Sequence, residues 1–184
     1  MGLLFVNVGM VTRTGGRAVR SGIFQQQIED ELEQVLDRSR FALMSSTANN
    51  LDPVFTAPLS NHEISFKSSL GFENGTLVES DPESLSWESG PNGLGQMIWT
   101  QNPGEHNQRR IPWSKSVPTL HRGELSNEID DNANGLYDET GVAFHVESQS
   151  DQEVQVHIHL TIEKFDPDGK RVPTARSVNV TCRN

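Results

Sequence analysis

The chain has 184 residues, a formal net charge of -10, and hydrophobic side chains at only 34% of its positions. That length is one domain, and a pI near 5 argues against nucleic acid, whose phosphates need a basic stripe. One cysteine excludes an internal disulfide framework or a Cys-based zinc site, and no run of 18 apolar residues exists to span a bilayer.

The charge is unevenly placed. Residues 1–20 carry Arg13, Arg17 and Arg20 and no acid, a local +3, which leaves -13 on residues 21–184. Residues 1–11 (MGLLFVNVGMV) hold eight apolar side chains. A secretory signal places its basic residues before the apolar run, whereas these arginines follow it. Myristoylation is excluded because Val6 stands where Ser or Thr is required. At about 1.5 Å per residue the run covers roughly half of a ~30 Å hydrocarbon core. It reads either as the second half of a membrane helix or as a short buried helix or frayed apolar N-terminus.

From Gly22 to Met44 the spacing predicts an amphipathic helix. Ile28, Leu32, Val35 and Leu36 share one face, extended one turn back by Phe24. Ser21 is placed to act as its N-cap. If residues 1–20 are also helical, the two segments form one element with a weak point at Gly15-Gly16.

Beyond Ser45 the pattern becomes irregular, with Asp52-Pro53 and Ala57-Pro58. Short alternating strands follow at 62–67 (Ile64, Phe66), 84–89 (Leu85, Trp87) and 96–100. Asn74-Gly75 marks a hairpin between Phe72 and Leu77-Val78. Gly90-Pro91-Asn92-Gly93 divides the later two strands. The polar stretch 101–141 holds one short edge strand between Ile111 and Val117. Val142, Phe144 and Val146 then alternate, followed by five in-phase apolar residues from Val154 to Ile162. The tight turn Asp166-Pro167-Asp168-Gly169 leads into Val178, Val180 and Cys182, an antiparallel hairpin with Cys182 on its core face. The two N-x-[ST] matches, at Asn74 and Asn179, read as turn and strand. The expected fold class is α+β: one long N-terminal α-helix packed on an antiparallel β-sheet with long polar loops.

The sharpest chemical signal is Asp130-Asp131-Asn132-Ala133-Asn134-Gly135-Leu136-Tyr137-Asp138-Glu139. Asp130, Asn132 and Asn134 occupy positions 1, 3 and 5 of a D-x-N-x-N-G loop, and Gly135 permits the bend at position 6. Alternate oxygens turned to one centre suit calcium. Position 12 is Gly141 where an EF-hand has a bidentate Glu, so Asp138 and Glu139 must complete the shell. The expected set is Asp130, Asn132, Asn134, Asp138 and Glu139, a structural clip; the competing reading is a solvated loop. His157 and His159 lie at i, i+2 on the polar face of the long strand, with His145 two strand candidates away. A metal could join them, a solvent-facing or sheet-covered strand face explains them equally well, and no carboxylate motif accompanies them. His62, His106 and His121 sit in unrelated contexts. No nucleophile elbow, phosphate loop or Cys–His pattern is present, so no catalytic residues and no enzyme are expected.

Taken together, these features resemble the type IV pilin-like superfamily, in particular the J-like minor pseudopilins of type II secretion systems. The resemblance rests on the apolar helix continuing into IEDELEQVLDRSRFAL, on Glu63-Ile64-Ser65-Phe66, and on the Asp130–Glu139 loop. It rests also on the ending Ser177-Val178-Asn179-Val180-Thr181-Cys182-Arg183-Asn184. It implies a structural subunit of an envelope filament: residues 1–20 a truncated apolar head for membrane and subunit contacts, residues 21–184 a pilin-like domain in the periplasm. Gln25, Ile28, Leu32, Val35 and Leu36 would mediate helix–sheet packing. Partners would be other pseudopilin subunits, through the N-terminal helix, and the inner membrane before assembly. Neither nucleic acid nor a small-molecule substrate is expected, and calcium in a loop is a habit of the family. The family's basic leader, Gly–Phe/Met cleavage point and Glu at the fifth position are not matched, so the expectation is that an upstream reading frame supplies them; otherwise the chain is soluble. Arg13, Arg17 and Arg20 on the exported side run against the positive-inside rule. The alternatives are a calcium-stabilised extracellular binding module or a hydrolase without a legible motif.

Overall fold

The computed structural model describes residues 2–150 and 153–183, with side chains from Val19 onward except at positions 92, 148–150 and 183. One helix, α1 (Gly2–Met44), opens the chain. It runs through Gly15-Gly16, joining the two segments into one element, and Ser21 lies inside it, so the N-cap is not realised. A glycine costs about 1 kcal/mol against alanine in a helix, yet its amide and carbonyl still serve the i→i−4 ladder. The side chains of the apolar run 1–11 and of Arg13 and Arg17 lie outside the described residues.

Among the described residues nine strands follow: β1 (Glu63–Phe66), β2 (Ser69–Glu73), β3 (Thr76–Glu79), β4 (Glu83–Ser89), β5 (Leu94–Gln101), β6 (Arg109–Pro118), β7 (Val142–Ser150), β8 (Glu153–Phe165) and β9 (Arg171–Arg183). They form a four-stranded sheet in the order β1-β4-β5-β6, the separate hairpin β2-β3, and the meander β7-β8-β9; every pairing is antiparallel. The expected α+β class stands, but the single sheet under a helix is corrected to three sheets. β6 does lie at a sheet edge, where Pro112 needs no ladder partner for its missing N–H, and it is longer than the short strand expected.

Local chemistry explains the turns. Asn74 (φ 52°) and Gly75 (φ 80°) both adopt left-handed backbone, as a two-residue hairpin turn requires. At the β8–β9 turn, the Asp166 carboxylate accepts from the amides of Asp168 (2.9 Å) and Lys170 (2.8 Å).

The core is shared. Ile28, Leu32, Val35, Leu36 and Leu43 of α1 are buried with Ile64 and Phe66 of β1, Leu85 of β4, Met97 of β5 and Val117 of β6. The same cluster takes Val142, Phe144 and Val146 of β7, Val156, Ile158, Leu160 and Ile162 of β8, and Val180 and Cys182 of β9. Each fully buried aliphatic side chain contributes about 1.5–3 kcal/mol, so the five helix residues alone clamp α1 to the sheets. Glu31 adds polar ties, accepting from Ser114 Oγ at 2.7 Å and pairing with Lys164; Arg176 pairs with Glu33. Gln25 is half-buried at the margin of this contact.

Strand β8 is covered on both sides at its centre. Its even-numbered residues face the helix, while His159 and Thr161, on the odd-numbered face, are also buried. What covers that second face is the 119–141 connection between β6 and β7.

Candidate functional site

The 119–141 connection contains neither helix nor strand, and its two ends are stitched together. Leu120 and Thr140 form an isolated bridge, His121 N donates to Glu139 O at 2.9 Å, and Gly141 N donates to Thr119 O at 3.2 Å. Thr161 N donates to Gly141 O (2.7 Å) and Arg122 N to Thr161 Oγ1 (3.0 Å), fastening both ends to β8. Leu136 is buried as a hydrophobic anchor, and Tyr137 N donates to Pro58 O at 3.0 Å.

Within this frame the five predicted ligands separate. Asp130 accepts from the amides of Asn134 (3.1 Å) and Gly135 (2.8 Å). Asn132 Oδ1 accepts from Asn134 N and Asn134 Oδ1 from Leu136 N, so these three close one tight turn. Their amide groups converge on Glu139: Asn132 Nδ2 (3.1 Å) and Asn134 Nδ2 both donate to its Oε1. Asp138 is committed elsewhere, its carboxylate accepting from the amides of Asn127 and Glu128. Asp130, Asn132, Asn134 and Glu139 are therefore brought together; Asp138 holds a neighbouring turn.

Two side chains absent from the expected set belong to the same place. Glu124, only 5% exposed, accepts from Asn132 N at 3.1 Å through Oε1. Its Oε2, like Oε2 of Glu139 (1% exposed), is buried without a hydrogen-bond partner among the described residues. A buried unpaired carboxylate oxygen is expensive. Burial pushes the Glu124 carboxyl above its ordinary range, and the neighbouring Glu139, Asp131 and Asp130 push it further the same way. Among the described residues none of these four acids has an ion-pair partner.

His121 is the second unexpected member. It lies at the opposite end of the loop from Glu139 and is 7% exposed. Its Nδ1 is 3.0 Å from Thr161 Oγ1. Across the ring gap stands His159 of β8, with centroids 6.0 Å apart and rings nearly perpendicular. The Nδ1 of His159 is 2.8 Å from Ser177 Oγ on β9, while its Nε2 is buried and unpartnered. His121, Glu139 and His159 thus place one potential ligand atom each within 4.8 Å of one another. Burial lowers the His121 pKa, offset in part by Glu139. Burial, with His121, His145 and His157 nearby, lowers His159 to about 4. Both shifts favour the neutral ring, which can offer a lone pair.

His145 is one strand away, directly opposite His157 in the β7–β8 register, and stacks on it at 4.3 Å. His157 pairs with Glu147 at 3.2 Å. His157 is half-buried, whereas His159 is buried beneath the loop. Strand parity pairs His157 with His159, and the Asp130–Glu139 motif marks Glu139; only the loop crossing brings His121 and Glu124 to the same place.

Comparison with known protein families, curated proteins and solved structures gave no match.

Proposed function

We propose that the chain is a non-enzymatic structural subunit of a pilin-like envelope filament, of the minor pseudopilin kind. One observation carries this reading: α1 is 43 residues long, about 65 Å at 1.5 Å per residue, and among its described side chains full burial in the domain begins only at Ile28. Val19 is 63% and Ile23 55% exposed. A helix that leaves apolar side chains exposed ahead of its own domain is suited to packing among like helices. Among the described residues no helix is long and apolar enough to cross a membrane, so the reading concerns helix–helix contact first, with envelope location and inner-membrane anchoring part of the same proposal.

The alternative, a calcium-stabilised binding module, draws its support from the unpaired carboxylate oxygens of Glu124 and Glu139 in the 119–141 connection. It explains the loop but leaves the exposed helix front without a role.

Sedimentation of the full chain, with and without anionic vesicles, tests the filament reading. The wild type is expected to self-associate or to float with the vesicles, and the double variant Val19→Asp/Ile23→Asp to remain a dispersed monomer. A wild type that stays monomeric at every concentration and never partitions to vesicles would overturn it.

A further inference from the structure

We propose that His121, Glu139 and His159 form a binding site for a divalent transition-metal ion of the zinc class. The inference is independent of the filament reading, because it rests on the loop and β8 and not on the front of α1.

The donor set points to the kind of ion. Two imidazoles and one carboxylate are a mixed nitrogen–oxygen set, which favours zinc, cobalt, nickel or iron over calcium; calcium takes six to eight oxygens. The oxygens a calcium ion would need are already engaged, Asp130 by two backbone amides and Asp138 by the 127–128 turn.

The surroundings of each ligand are those a metal-binding histidine needs. Metal-bound imidazoles are held by a hydrogen bond from the ring nitrogen that does not ligate. Here Nδ1 of His121 meets Thr161 Oγ1 and Nδ1 of His159 meets Ser177 Oγ. With Nδ1–H donating to these hydroxyls, both Nε2 lone pairs are left for the ion. Glu139 is likewise oriented, its Oε1 held by Asn132 and Asn134 and its Oε2 unpartnered. Two of the three residues therefore present a buried polar atom with nothing bonded to it. A tetrahedral ion with bonds of about 2.0–2.1 Å spaces its ligands by roughly 3.4 Å, so ligand atoms within 4.8 Å of one another must draw closer to hold it.

Charge and access agree. A dication offsets Glu139 and the adjoining Glu124, Asp130 and Asp131, whose charges otherwise oppose ionisation of Glu124. A groove of about 450 Å³, lined in part by His121, Arg122, Glu124 and Thr161, leads to the His121 side of the cluster. Three protein ligands leave a fourth position for water or for Glu124.

The test uses the tag-free full chain, stripped with a chelator and titrated calorimetrically with zinc, cobalt(II) and calcium separately. Zinc is expected to bind at one equivalent and to raise the melting temperature, cobalt to compete for the same site with the visible absorption of tetrahedral coordination, and calcium to bind far more weakly. His121→Gln, His159→Gln and Glu139→Gln should each abolish saturable binding, while His157→Gln, outside the set, should leave it intact. Should the ligand variants fail to fold, Ser177→Ala and Thr161→Val serve in their place; as positioning residues they should weaken zinc by roughly 10–100-fold and alter the cobalt spectrum. Tighter binding of calcium than zinc, no saturable zinc binding by folded wild type, or zinc binding unchanged in folded ligand or positioning variants would each overturn the assignment.

Discussion

Cys182 shows how far a single side chain is determined by its phase. It lies in register with Val178 and Val180, and the structure buries it completely. Ser46 Oγ donates to its Sγ at 3.3 Å, and the thiol is 3.3 Å from Leu43 O, which accepts from it. Burial pushes the thiol above its usual value, with the Ser46 hydrogen bond pulling partly back. The folded protein therefore keeps a proton that the unfolded chain loses above about pH 9, and stability falls as pH rises through that range. Urea midpoints measured from pH 8 to pH 10.5 should drop more steeply for wild type than for Cys182→Ala. A thiol reagent should label Cys182 only at the rate of global unfolding, since a protonated buried thiol is inert; rapid native labelling would contradict this placement. Glu124 behaves oppositely to a stabilising residue. Its carboxylate is held among like charges, so Glu124→Gln, which keeps the oxygen that accepts from Asn132 N, is expected to stabilise the chelated protein by about 1 kcal/mol, read as a higher urea midpoint at pH 7.

At the scale of elements, what was legible was whatever depends on neighbours in sequence. The Asn74-Gly75 and Asp166–Gly169 turns, the apolar face of β8 and the Ile28–Leu36 face of α1 are local patterns, and each is where periodicity puts it. The division into three sheets was not legible, because alternation specifies which face is buried but not which strand lies alongside. The metal cluster escaped for the same reason. His121 and Glu139 are 18 positions apart, and they meet His159 only because the loop ends are bridged over β8. Gly141 is the point of that closure. A Cβ built there lies 2.1 Å from Pro118 O and 2.8 Å from Val117 Cγ1, so the end of β6 can pass the start of β7 only over a bare backbone. Gly141→Ala should cost about 2–3 kcal/mol in urea unfolding, and by spreading the loop base it should also weaken zinc binding. If stability fell while zinc affinity stayed at the wild-type value, the loop base would not be what aligns Glu139 with the histidines.

Over the whole molecule, the +3 head gives way to the -13 body ahead of the point where the described side chains of α1 become buried, at Ile28. Ile28, Leu32, Val35, Leu36 and Leu43 tie α1 into a core built from both larger sheets, so unfolding the rear of the helix requires breaking the shared core. Val19 and Ile23 have no such cover, and a helical segment without tertiary contacts is marginal in water. The two halves of one continuous helix should therefore differ sharply in opening free energy. In a dilute sample of the full chain, hydrogen exchange should be slow at the amides of residues 28–43, close to the global unfolding limit, and orders of magnitude faster at residues 16–23. If the helix front packs among like helices, protection should extend forward over residues 16–23 as concentration rises or vesicles are added, with residues 28–43 unchanged. Equal protection of both halves in the dilute monomer would mean that the front is held by its own domain. The basis for a filament role would then be gone, while the zinc site, fixed by β8 and the 119–141 loop, would be unaffected.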